Sequence, residues 1–237
     1  MSRDDEQSSS EFFQPKKNTP TSALEAAESF VAGCTKAGCA GDGGGKPFSV
    51  AFRCLLEWAQ GEKLITDPGQ FPFLSRPPDA FGQEHEAWFD EPSNRWFKAT
   101  YQNQFGLGWG RRGSAIASAY LTRLVLQNHY FGDDIRLIAI ISVNQKMRVL
   151  TSQQHIVGAP ATLEEIREWF RQYGFVNLET ADGGSAWYKP SVNLLVADAH
   201  EGNMIRDRNN VLVPIDLNIT QPEGKLLELV KLALSSL

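Results

Sequence analysis

Apolar positions along this chain change period several times, and each change predicts an element. Thr21 to Val31 reads as a short helix, with Thr21 or Ser22 as its cap and Glu25 placed for a capping box. Phe48 to Gln60 keeps one apolar stripe (Val50, Phe52, Leu55, Leu56, Trp58) and predicts an amphipathic helix packed on the domain C-terminal to it. From Phe81 the texture shifts to short runs rich in aromatics. Glu86 to Asp90 and Arg95 to Thr100 flank Glu91-Pro92-Ser93-Asn94, a turn composition, and together predict a hairpin. Ser114 to Tyr130 returns to helical spacing through Ile116, Tyr120, Leu121, Leu124 and Val125, with Ser114 as the expected cap. Ile135 to Ser142 is a mostly apolar run, expected as a buried strand partnered by Met147 to Thr151 across Asn144-Gln145. Thr162 to Glu165 is a capping box opening a helix to Tyr173, with Gly174 as its stop. The chain closes on a helix from about Glu223 to Leu234.

Between these lie the breaks. Residues 1 to about 20 are rich in Ser, charge, Gln and Pro and are expected to be disordered. Gly41 to Gly45, followed by Lys46, invites a phosphate-loop reading. No apolar strand precedes it, Pro47 follows the Lys, and the full motif is missing, so a flexible linker is expected. Pro68 to Pro78 is Pro-rich and expected to be extended.

Composition narrows the classes. A net charge of −5 without a long Lys/Arg run argues against a nucleic-acid partner. No apolar stretch is long enough for a bilayer, and the acidic, polar start lacks the features of a secretory signal. Cys34, Cys39 and Cys54 are an odd number of cysteines in a chain of 237 residues, which argues against a disulfide framework and for the cytoplasm. Cys34 and Cys39 could form half a zinc site, but no second ligand pair is suitably spaced. A homo-oligomer is left open.

The densest chemistry lies in Val192 to Asn218. One apolar run (Val192, Leu194, Leu195, Val196) delivers Asp198, His200, Gly202 and Asn203; a second (Val211, Leu212, Val213, Ile215) delivers Asp216. Two strands joined by a turn at Asn209-Asn210 would bring two carboxylates and a carboxamide together, a hard-oxygen set suited to Mg²⁺. Gly106, Gly108, Gly110 and Gly113 around Arg111-Arg112 could cradle an anion, or serve only as a mobile connection.

Asp198 with Asn203 five residues on, then Asp216 after the next strand, resembles the catalytic loop and metal-binding Asp of the protein-kinase-like superfamily. The D-x-H-x-G-N form is similar to that of aminoglycoside phosphotransferases. The wider pattern, with GQEHEAWFDEPSNRWFKAT before it and TSQQHIVGAP between, resembles a small kinase-like family in polyvalent proteins of phages and mobile elements. The resemblance runs from about Phe81 to Asn218. It implies an α+β, compact two-lobed fold: a small antiparallel-sheet N-lobe at 81–151 and a truncated C-lobe at 152–237. An N-terminal extension (1–46) and an accessory helix with Pro-rich linker (47–80) would precede them. It implies an ATP- and Mg²⁺-dependent phosphotransferase acting on an unidentified hydroxyl of a protein or small molecule. Asp198 would be the catalytic base, Lys98 a phosphate clamp, and Asn203 and Asp216 the metal ligands. Gly82, Gln153, His155 and Ile156 would join Lys98 at the nucleotide. Gly202 would allow a tight turn, and His200 would organise the loop by donating to a carbonyl or a carboxylate.

Two departures matter. The helix Ser114 to Tyr130 contains no Asp or Glu, so the usual Lys–Glu pair would need Glu84 or Glu86, or Gln127 in its place. Only a short tail follows Asp216. An inactive nucleotide-binding relative or interaction module is therefore the main alternative. A two-metal phosphoesterase using Asp198, His200 and Asp216 is a weaker one, because only four His residues exist. Serine-hydrolase chemistry lacks a G-x-S-x-G elbow.

Overall fold

The computed structural model describes residues 22–40, 47–108, 111–114, 116–143, 146–179 and 185–237. The expectations for residues 1–20 and for Gly41 to Gly45 lie outside them. The chain divides into two compact units. The first holds the described residues up to Asn128 with Asp134–His155; the second holds His129–Asp133 and Ile156–Leu237.

In the first unit, α1 (Ala23–Ala40) runs well past Val31. Ser22 caps it: Glu25 Oε2 accepts from the Ser22 amide at 2.8 Å and Ser22 Oγ accepts from the Glu25 amide at 3.3 Å. Helix α2 (Pro47–Gly61) starts on a proline, whose missing N–H costs nothing in a first turn. Strands β1 (Ile65–Thr66), β2 (Ala80–Phe81), β3 (His85–Asp90) and β4 (Arg95–Thr100) come next. A small ribbon of β5 (Leu107–Gly108) and β6 (Arg111–Ser114) then leads to α3 (Ala117–Phe131). Ser114, expected as the cap of that helix, ends β6 instead. Strands β7 (Arg136–Val143) and β8 (Lys146–Gln154) complete a six-stranded sheet in the order β1-β7-β8-β4-β3-β2. The sheet is mixed, not purely antiparallel: β1 pairs parallel to β7, Ile65 opposite Ile140.

Both faces of this sheet are covered. On one, Leu24, Ala27 and Val31 of α1, Leu55 and Trp58 of α2, and Tyr120, Leu121 and Leu124 of α3 share a buried cluster with Leu137, Ile140 and Val149. A fully buried leucine stabilises by about 1.5–3 kcal/mol. Leu24 and Leu55 are fully buried, so the two N-terminal helices are part of this core rather than appendages. On the other face, Trp88, Ala99, Ala139, Ile141 and Leu150 are overlaid by Phe71, Phe73 and Leu74. Those residues belong to the Pro-rich stretch, which forms two 3-10 turns, Pro68–Gln70 and Pro72–Ser75, where an extended segment was expected. Proline at the first position of each turn and the Asp67 carboxylate accepting from the Gly69 amide explain the difference.

The second unit contains β9 (Gly158–Pro160), α4 (Leu163–Gln172), β10 (Val176–Glu179), β11 (Ser185–Lys189), β12 (Leu194–Ala197), β13 (Met204–Asp207), β14 (Leu212–Pro214), β15 (Asn218–Thr220) and α5 (Gly224–Leu234). Helix α4 carries the expected capping box between Thr162 and Glu165, and Gly174 follows it at φ 76°. Its buried face sets Phe170 flat on Trp187, centroids 4.9 Å apart. The strands form a four-stranded sheet, β10-β11-β12-β15, and a three-stranded one, β14-β13-β9. Among the described residues no helix is long and apolar enough to cross a membrane.

Candidate active site

The two apolar runs of Val192 to Asn218 are strands, but they do not form a hairpin with each other. Strand β12 pairs with β11 and β15, while β14 pairs with β13. The sequence Met204-Ile205-Arg206-Asp207 supplies the unexpected strand, and Asp207 closes the β13–β14 turn by accepting from the Asn209 and Val211 amides. The outcome resembles what a simple hairpin would give. Asp198 leaves the end of β12, Asn203 stands just before β13, and the amide of Ile215, the residue before Asp216, donates to the Asn203 carbonyl at 2.9 Å.

Strand β13 is held from its other side by β9, with Gly158 opposite Asp207. A Cβ at Gly158 would stand 2.1 Å from the Arg206 carbonyl oxygen. This glycine therefore has a steric reason, and its strand holds the one that directly follows Asn203.

The loop itself is tightly bonded. Asn203 Nδ2 donates to the Asp198 carbonyl at 2.9 Å and to its Oδ2 at 3.2 Å. The His200 amide donates to the Asp198 carbonyl at 3.2 Å, and the Asn203 amide to the His200 carbonyl at 2.9 Å. His200 Nδ1 accepts from the Gly202 amide at 3.0 Å, and Nε2 stands 3.6 Å from Asp198 Oδ1. The residue that takes the left-handed turn is Asp198, at φ 62°. Gly202 lies in the tight turn expected of it, closed by the Asn203 amide on the His200 carbonyl, and does so without a positive φ. It is small for another reason: a Cβ there would meet His200 Cε1 at 2.9 Å. A non-glycine residue at positive φ is uncommon, Asp being among those that tolerate it.

The remaining candidates divide between the units. Lys98 lies on β4, opposite Ala87 and Thr151, on the same sheet face as His85, which bonds Tyr120 Oη of α3 at 2.9 Å. Gly82 is in the β2–β3 turn, its amide donating to the His85 carbonyl and its carbonyl accepting from Tyr101 Oη. Gln153 is buried and still within β8, opposite Trp96, so the expected open segment between lobes is shorter than Ser152 to Ile156. His155 comes directly after the strand; its Nδ1 accepts from Trp96 Nε1 at 3.0 Å and its ring meets the edge of Phe89. Ile156 begins the second unit, with Asp198, Asn203 and Asp216.

Helix α3 has no acidic residue, and the ion pair it makes runs the other way. Arg123 donates to Glu84 Oε1 at 2.7 Å and also to Oε2, both side chains largely buried. Glu86 is taken by Arg148, which also donates to the Thr100 carbonyl. Arg95 similarly fixes Asp134 and Ser152. Sequence reading missed all three arginines, since their partners lie 39 to 62 residues away. Among the described residues no group of three or more His, Cys, Asp and Glu side chains is arranged to hold a metal ion.

Residues 112–221 match a family model described as Serine/Threonine/Tyrosine Kinase found in polyvalent proteins. That segment is similar to this kinase-like family. It spans a little under half of the chain and contains α3, β7 to β15 and the Asp198–Asp216 region, while Lys98 and Gly82 precede it. No curated protein matches the chain, and no solved structure does.

Proposed function

We propose that the chain is an ATP- and Mg²⁺-dependent phosphotransferase that moves a phosphoryl group to a hydroxyl of a protein or small molecule. The kinase-like segment supports nucleotide and metal use in general. The observation that carries the finer reading is the Asn203 amide. Its Nδ2 is committed to Asp198, which turns the amide oxygen, a hard donor, to the remaining side. Asp216 follows directly on Ile215, whose amide bonds the Asn203 carbonyl, and that closeness along the backbone supports pairing its carboxylate with the Asn203 amide oxygen. One carboxylate and one amide oxygen fit Mg²⁺, which keeps its other positions for water and phosphate oxygens. When bound, the ion neutralises charge on the phosphates.

The chain's own groups do the rest. Asp198 accepts the proton of the attacking hydroxyl, oriented by the amide on its Oδ2. Lys98 contributes positive charge to the phosphates; Gly82, Gln153, His155 and Ile156 contact the nucleotide. In a second reading the protein binds nucleotide without turnover, and the absence of an acid on α3, with Arg123 in its place, favours it.

The test is a thermal-shift titration with ATP, with and without Mg²⁺, on wild type and Asp216→Ala. At ~100 times Kd, bound ligand adds about 2.7 kcal/mol of stability. A Mg²⁺-dependent shift that Asp216→Ala loses is the expected result. No shift in the wild type sinks both readings.

A further inference from the structure

We infer that His200 is a positioning residue for Asp198, acting as the neutral Nε2–H tautomer and holding one carboxylate oxygen while Asn203 holds the other. The role given to Asp198 rests on the phosphotransferase reading; the tautomer does not. Three contacts lead to it. The Gly202 amide donates to His200 Nδ1 at 3.0 Å, so Nδ1 is an acceptor and the ring proton sits on Nε2. Nε2 stands 3.6 Å from Asp198 Oδ1, a little longer than a hydrogen bond. Asn203 Nδ2 donates to the opposite oxygen, Oδ2, at 3.2 Å. Contacts of this kind are often long in a free enzyme and tighten when substrate is bound.

The backbone is built around this ring. Residue 202 carries no Cβ, and a Cβ there would fall 2.9 Å from His200 Cε1 and 3.2 Å from Nδ1. Any side chain at 202 would displace the imidazole from the amide that fixes its tautomer. Asp198 lies at φ 62°, an uncommon conformation that needs support from its surroundings. His200 supplies support through its amide, which donates to the Asp198 carbonyl at 3.2 Å, and its Nε2 stands 3.6 Å from the side chain. The imidazole and the carboxylate are both more than half exposed, so orientation rather than burial is what the loop provides.

The imidazole nitrogens can be read directly. In ¹⁵N-labelled full-length protein at neutral pH, the His200 resonances are identified by their loss in His200→Gln. Nδ1 is expected in its unprotonated range and Nε2 in its protonated range, and Asp198→Asn is expected to move Nε2 while Asp216→Ala leaves it in place. Finding Nδ1–H, or no response to Asp198→Asn, overturns the inference.

A kinetic arm uses ATP with Mg²⁺ and water as the acceptor. His200→Asn keeps an acceptor for the Gly202 amide but loses the far donor; His200→Gln keeps a donor near Nε2. Misplacing a catalytic group is worth about 10- to 100-fold in rate. His200→Asn is therefore expected to lower kcat by that order with KM for ATP unchanged, and His200→Gln to recover most of it. Equal activity of both variants and wild type overturns the positioning role. If the wild type binds no Mg²⁺-ATP while His200 shows Nε2–H, the phosphotransferase reading falls and the tautomer assignment stands.

Discussion

Arg123 on α3 grips Glu84, just ahead of β3, with both ends of its guanidinium, and so inverts the charge order of the helix–sheet ion pair expected in a kinase-like fold. The pair is 7% and 14% exposed. The Arg123 guanidinium also stands 5.4 Å from the centre of the Tyr120 ring, and a Cβ at Gly106, whose φ is 74°, would come within 3.1 Å of Glu84 Oε2 and 3.2 Å of the guanidinium.

Removing one partner of so buried a pair leaves the other charge without this counter-ion. Arg123→Met is expected to destabilise by about 3–5 kcal/mol, and Arg123→Met with Glu84→Leu by much less. Denaturant unfolding of the two variants checks this; equal losses would show that packing, not charge, dominates.

The proposed base and the proposed metal ligand should fail differently. Asp198→Asn is expected to keep the Mg²⁺-dependent thermal shift with ATP while stopping transfer, because the metal is assigned to Asn203 and Asp216. Loss of that shift in Asp198→Asn would make Asp198 a metal or structural residue.

Two glycines offer a contrast. Gly158→Ala drives a Cβ toward a backbone oxygen 2.1 Å away, which β13 cannot yield without breaking its pairing. A loss of about 2–3 kcal/mol is expected from such overpacking. Gly202→Ala meets only an exposed imidazole that can swing aside, so its melting temperature should stay close to wild type, within about 0.5 kcal/mol. Calorimetry on the two variants separates a steric requirement of the fold from one of the loop.

Asp134 is partly desolvated, which raises its pKa, but hydrogen bonds from Arg136 and Arg95 outweigh this and hold it below the usual aspartate range. A carboxyl depressed in the folded state stabilises above its unfolded pKa and loses that contribution as pH falls through the folded one. Asp134→Asn should therefore melt below wild type near neutral pH, with the gap closing in acid, below the ordinary aspartate value. The side chain is 41% exposed, so solvent screening keeps the effect small. Melting curves from neutral pH down to about pH 2 test the direction.

Periodic elements were legible in the sequence because their signals are local. The Thr162–Glu165 box, the stripe of α2 and the aromatic hairpin carrying Lys98 appear where their side chains predict them. Strand β13 was not, since Met204-Ile205-Arg206-Asp207 holds two apolar residues and only the neighbouring β9 and β14 make it a strand. The extent of α1 was hidden by Gly33 and Cys34, poor helix formers that tertiary packing overrides. In the candidate site, Asp198, Asn203 and Asp216 could be picked out by spacing. The reason for Gly202 could not, because it depends on where the His200 ring lies.

The strand order β1-β7-β8-β4-β3-β2 has a consequence for where this protein can be cut. The segment matching the kinase family begins at residue 112, after β3 and β4 have passed, yet β4 lies against β8 with Lys98 opposite Thr151. A fragment trimmed to the match would carry β8 with a naked hydrogen-bonding edge, an invitation to intermolecular strand pairing. It would also lose the α1–α2 cover over Ile140 and Val149. The similarity marks a segment, whereas the piece that can be transplanted intact reaches back at least to Ser22.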